Sequence, residues 1–129
     1  MDPQQTLVAA FHDAMGAPAP KQPAPLSPER ARLRTQLIDE EAGEFRDAVD
    51  RHDWYAMIDA LVDLLYVTYG TAVEMGIDLE PFFEEVHQAN LRKVAAVDAG
   101  KSIKPKDWSP PDIGAAHERI YGSATPWNR

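Results

Sequence analysis

Two acidic runs hold the residue types best able to do chemistry. Glu40-Glu41-Ala42-Gly43-Glu44 sits within Leu37 to Phe45, and Asp59-Ala60-Leu61-Val62-Asp63 leads into Leu64-Leu65-Tyr66. Read at about 100° per residue, the first run is a helix with an apolar stripe of Leu33, Leu37, Ile38, Phe45, Ala48 and Val49. Glu41 and Glu44 project inside that stripe, and Glu40 lies at its edge. The second run is apolar nearly all round from Met57 to Val73, as a buried helix would be, and Asp59 and Asp63 interrupt it one turn apart. Carboxylates on faces that should be buried are costly unless something positive offsets them. Two such helices together make an oxygen-rich cage suited to a hard cation, Mg²⁺ first and Mn²⁺ as a substitute. An EExxE alone reads as a solvated face, and the two aspartates alone read as caps or partners of arginine. The second helix carries no basic residue to pair with them. The pairing of the two runs is the signal.

The elements that must position these acids are legible. Leu7, Val8, Phe11 and Met15 fall at helical spacing, so a first helix runs from Gln4 to Met15 and stops near Gly16. Pro18, Pro20, Pro23 and Pro25 make the next stretch an extended connector. Ser27-Pro28-Glu29 is a strong helix start, with a hydroxyl N-cap, proline in the first turn and an acid near the positive dipole end. That helix is expected to reach about Arg51. Asp53 caps a third, which runs to Met75 and ends at Gly76. Asp78 is the expected cap of a fourth, with Pro81 in its first turn and an apolar line of Phe82, Phe83, Val86, Val94 and Val97. Past Gly100 the prolines predict loop. Ile113 to Tyr121 reads as a short last helix. No alternation of period two and no internal repeat is evident.

Composition sets outer limits. A chain of 129 residues, 44% apolar and 26% charged, reads as one globular domain spanning residues 1–129. Net charge is 13 − 21 = −8, which argues against general binding to nucleic acid or to an anionic membrane surface. With no cysteine, thiolate catalysis, thiolate metal sites and disulfides are excluded. The first residues show no secretory signal pattern, and the longest uncharged apolar run, Leu64 to Val73, is too short to span a bilayer. A cytoplasmic location is the expectation.

A second set of residues is basic or amide. Asn90 falls on the stripe of the fourth helix between Val86 and Val94, with Lys93 one turn on. From Arg92 to Lys106 the basic residues Arg92, Lys93, Lys101, Lys104 and Lys106 face one acid, Asp98. In so acidic a chain this local reversal suits a polyphosphate. Asn90 reads either as a core amide bonded to backbone or as a contact to base, sugar or phosphate. Glu84 and His87 form one E-x-x-H, but a di-iron bundle needs two such motifs and further acids.

These motifs together resemble the all-α nucleotide pyrophosphohydrolase superfamily, which includes MazG, the dimeric dUTPases and the phosphoribosyl-ATP pyrophosphohydrolases. Glu40-Glu41-x-x-Glu44 and Asp63-Leu64-Leu65-Tyr66 are similar to its two metal motifs. The segments from Asp59 to Gly70, from Glu85 to Lys93 and from Gly100 to Lys104, with Pro110-Pro111-Asp112, resemble its short MazG-like branch. The likeness covers about Pro28 to Asp112. It implies an antiparallel helical bundle completed by homodimer or homotetramer formation. The implied reaction is Mg²⁺-dependent cleavage between the α and β phosphates of a nucleoside triphosphate, with dUTP or dCTP preferred. On that basis Glu41, Glu44, Asp59 and Asp63 are the metal ligands and Glu40 the residue that orients or deprotonates the attacking water. Lys93, Lys101 and Lys104 balance the triphosphate, and Asn90 lies near the nucleoside. One position departs from the pattern. The family's second motif is ExxD, and the residue three before Asp63 is Ala60. The alternative is a non-catalytic helical module that binds a nucleotide or a protein and keeps part of a metal site.

Overall fold

The computed structural model describes residues 1–98, 101–104 and 106–127, with the backbone alone for 94–98 and 101–103. The fold is all-α in class, with five helices among the described residues. They are α1 (Pro3–Met15), α2 (Pro28–Asp50), α3 (Trp54–Met75), α4 (Glu80–Leu91) and α5 (Ile113–Tyr121). The chain divides into two compact units, one of Met1–Asp78 joined by the residues from Thr125 on, the other of Leu79–Ala124.

In the first unit each helix starts where its sequence offers a cap. Asp2 accepts from the Gln5 amide at 2.8 Å, Ser27 from Arg30 at 3.1 Å and Asp53 from Ala56 at 3.1 Å. His52 takes φ 55° between α2 and α3, and its amide and that of Asp53 return to the carbonyls of Val49 and Ala48. A link this short brings α3 back alongside α2. Buried Ala48 and Ala60, 0% and 2% exposed, add almost no side-chain bulk to the packed faces. α1 lies along α3 and is tied to it by the Tyr69 hydroxyl, which donates to Asp2 Oδ2 at 3.2 Å.

The proline-rich connector docks on the far end of α3. The Ala24 amide donates to the Met75 carbonyl at 3.0 Å, and Gly76 ends α3 at φ 69°. A Cβ at Gly76 would collide with the Gln22 carbonyl, so both conformation and space demand glycine there. By length and composition α3 is apolar enough to cross a membrane. It nevertheless packs along α1 and α2 and carries Asp59, Asp63 and Glu74.

Three expectations need correction, one of them the loop expected past residue 100, where Lys101–Ile103 is a strand. Asp78 does not cap α4; its carboxylate pairs with the Met1 amine at 3.1 Å, and α4 starts from Leu79 without a side-chain cap. α4 stops at Leu91 and does not reach Val97. Val94–Asp98 and Lys101–Ile103 form an antiparallel hairpin with Val94 opposite Ile103 and Asp98 opposite Lys101, irregular between Val94 and Val97. Valines three apart fit a helical stripe, but β-branched residues here take up the cross-strand pairing instead. Within this second unit α5 packs on α4 through Phe82, whose ring stacks on Tyr121 at 6.5 Å, and through buried Ala89 and Ala116. Asp112 caps α5 by accepting from the Ala115 amide at 2.8 Å.

A candidate metal centre between two helices

Glu41 and Glu44 are one turn apart on α2, and Asp63 stands on α3 beside them. One carboxylate oxygen from each lies within 4.8 Å of the others. Glu41 is half-buried, and its Oε2 is buried without any hydrogen-bond partner. Burial first, and then the charges of Glu44 and Asp63, hold the Glu41 carboxyl above its ordinary range. An orphaned buried oxygen facing two more carboxylates is unfavourable for a metal-free protein. It is the donor set a hard divalent cation satisfies.

The other expected acids stand apart from this group. Asp59 is exposed, and its carboxylate is not part of the three; the buried position on that turn belongs to Ala60. Glu40 is exposed at the rim, where its Oε1 accepts from Gln36 Nε2 at 2.9 Å.

The second unit brings part of the basic set together. Trp108 donates its Nε1–H to the Ala89 carbonyl at 2.6 Å. Lys93 and Lys104 stand over its ring, with Nζ 5.5 Å and 4.7 Å from the centroid. Arg92 reaches the Ser109 carbonyl at 3.4 Å. Asn90 is exposed, which removes the core-amide reading. Lys101 lies in the hairpin, and its side chain is outside the described residues.

Sequence reading missed a buried ionic cluster. Glu74 of α3, with a side chain 0% exposed, takes Arg30 Nε at 2.7 Å and Nη2 at 2.8 Å, and Arg34 Nη1 at 3.0 Å. Arg34 also donates to Thr71 Oγ1 at 3.1 Å and to the Val67 carbonyl at 2.8 Å. The signal was present. A glutamate next to Ala72 and Val73 on an apolar helix needs a cation, and Arg30 and Arg34 are spaced i, i+4 on the neighbouring helix.

Comparison with known proteins agrees with this frame. The family model for phosphoribosyl-ATP pyrophosphohydrolase matches residues 8–90, so the chain belongs to that family of the MazG-like all-α superfamily. The match takes in the acidic cluster, the arginine cluster and Asn90. The chain is also similar to the uncharacterized protein L479 of Acanthamoeba polyphaga mimivirus, 43% identical over 54 residues. That stretch covers 42% of this chain and only 22% of the viral protein. Membership points to a pyrophosphohydrolase, of a family that is typically metal-dependent.

Proposed function

We propose that the protein is a Mg²⁺-dependent nucleoside triphosphate pyrophosphohydrolase that releases a nucleoside monophosphate and pyrophosphate. The observation that carries this reading is the unpartnered, buried Glu41 Oε2 among three converging carboxylates. Glu41, Glu44 and Asp63 would hold the cation, and Asp59, exposed and outside that group of three, is not required for it. A cation bound there supplies charge neutralisation to the phosphate oxygens as the phosphoanhydride breaks. Glu40, free at the rim apart from Gln36, orients the attacking water and takes its proton.

Lys93, Lys101 and Lys104 offer ammonium donors that suit phosphate oxygens, and Asn90 offers an amide that suits a sugar hydroxyl. House-cleaning of a non-standard or surplus nucleotide such as dUTP or dCTP, in the cytoplasm, fits a small acidic enzyme of this family. A homo-oligomer is supported by the apolar residues that α3 leaves exposed, among them Trp54, Tyr55, Leu61, Val62 and Leu65. Pyrophosphate release from the four dNTPs, with and without Mg²⁺, tests the proposal; no release from any of them rejects it. A second reading, a binding module with a degenerate metal site, has Ala60 in its favour. That reading expects nucleotide binding without turnover.

A further inference from the structure

α2 and α3 leave the His52 turn in matched register. Glu41 lies nine residues before Asp50, where α2 ends, and Asp63 nine residues after Trp54, where α3 begins. Seven residues further from the turn on each helix, Arg34 stands against Gly70, where a Cβ would strike its guanidinium. Seven residues make nearly two full turns, about 10 Å of helix axis, so each helix presents both of its positions on one face. The acids therefore stand in a layer between two fixed points, the turn at one end and Arg34 at the other.

Charge works against that layer. Glu41, Glu44 and Asp63 place one oxygen each within 4.8 Å of the others, and like charges so close push α2 away from α3. Packing toward the turn resists sliding only weakly, because buried Ala48 and Ala60 are too small to interlock.

On the other side of the acids Arg34 supplies the restraint. Its three nitrogens take three acceptors on α3: Nε the Thr71 hydroxyl at 3.1 Å, Nη1 the Glu74 carboxylate at 3.0 Å and Nη2 the Val67 carbonyl at 2.8 Å. A planar fork held at three points cannot slide along α3 without losing bonds. At 7% exposure, water has little access to replace them. Val67 is one turn from Asp63, so the restraint acts on α3 close to the acid.

We infer that Arg34 is a positioning residue for the metal centre: it fixes the register of α2 on α3 and so keeps Glu41 and Glu44 within ligating range of Asp63. The inference rests on reading the three acids as a cation site. Arg34 touches neither metal nor substrate and acts only through the two helices. Lost support behind metal ligands costs about 10–100-fold in affinity.

Mn²⁺ binding to the metal-free protein, followed by loss of the free-ion EPR signal, reads the site without substrate or turnover. Arg34→Lys keeps a positive charge beside Glu74 but not the three-point fork. The double variant Arg34→Met with Glu74→Leu removes the buried pair as a unit, an exchange for apolar side chains that often leaves stability intact. Arg30, whose side chain is 35% exposed, then remains within reach of water. Circular dichroism and melting establish which variants are folded. A folded variant should bind Mn²⁺ about tenfold or more weakly than wild type. Binding within about threefold of wild type by either folded variant would overturn the inference and leave the metal centre standing. Absence of Mn²⁺ binding by wild type would overturn both. Binding that Arg34→Lys weakens, in a protein that releases no pyrophosphate from any dNTP, would remove the hydrolase reading and uphold the positioning role.

Discussion

Arg34 on α2 donates from Nη1 to Oε2 of Glu74 on α3 at 3.0 Å, with both side chains almost fully withdrawn from solvent. The pair joins the two helices that present the acidic cluster, and Arg30 completes it from the turn before. Removing the carboxylate would leave the buried Arg34 guanidinium unpaired beside a half-exposed Arg30. Glu74→Gln is therefore expected to destabilise the fold by about 3–5 kcal/mol, the usual cost of breaking a buried pair. Urea denaturation of wild type and variant measures it. A loss below about 1 kcal/mol, typical of exposed pairs, would mean that the cluster is solvated in solution.

Gly70 makes that cluster possible. A Cβ there would collide with the Arg34 guanidinium and come within 3.0 Å of His12 Nε2. Arg34 is held at three donors and His12 at the Pro18 carbonyl, so neither can move aside cheaply. Gly70→Ala gains helix propensity yet should still lose about 1–3 kcal/mol through overpacking. A melting temperature equal to or above wild type would show that Arg34 has another place to go.

The sequence was most informative where a local rule acts alone. Ser27, Asp53, Gly16 and Gly76 set the ends of α1 to α3, and caps and left-handed stops need only neighbouring residues. The short last helix from Ile113 to Tyr121 was legible from its spacing, and the structure adds Asp112 as its cap. The acids Glu41, Glu44 and Asp63 were found because charge on an apolar stripe is conspicuous. What stayed hidden depends on partners far along the chain. Asp78 looked like a cap, but the N-cap position of α4 is Leu79, and the Asp78 carboxylate pairs with the amino terminus. Glu74 was lost in an apolar run because its cations lie 40 and 44 residues away. Val94 to Asp98 kept a helical spacing that pairing with Lys101–Ile103 overrides.

Charge crowding at Glu41 predicts a pH effect of definite sign. Its folded-state pKa lies above the ordinary 4.5, so the unfolded chain ionises this group first as pH rises. The metal-free fold thus loses stability from Glu41 as pH climbs from about 4.5 through the raised value. Glu41→Gln removes that loss: the metal-free variant should melt above wild type at pH 7 and match it more closely near pH 4. Millimolar Mg²⁺ should raise the wild-type melting temperature, increasingly so at higher pH, and should not shift the variant. Calorimetric scans at several pH values with and without Mg²⁺ check both halves. A metal-free variant less stable than wild type at pH 7 would contradict the crowding.

The last prediction separates Asp59 from Ala60, where the chain departs from the ExxD pattern. Asp59 is exposed and outside the three-carboxylate group, whereas Ala60 is 2% exposed, one turn before Asp63. The buried position at which a further carboxylate would stand beside the group is therefore Ala60, whereas Asp59 is exposed and outside it. Asp59→Ala should keep turnover within about threefold of wild type, while Asp63→Asn should lose about 100-fold, as loss of a metal contact does. Ala60→Glu places another acid beside Glu41 and Asp63 without a cation to balance it. Metal-free, that variant should be less stable than wild type; with Mg²⁺ it should recover more, because an added oxygen ligand raises affinity for a hard cation. Turnover and Mg²⁺-dependent melting of the three variants decide the matter. A loss of about tenfold or more in Asp59→Ala, with the fold intact, would bring Asp59 back into the site through a movement of α3 on metal binding.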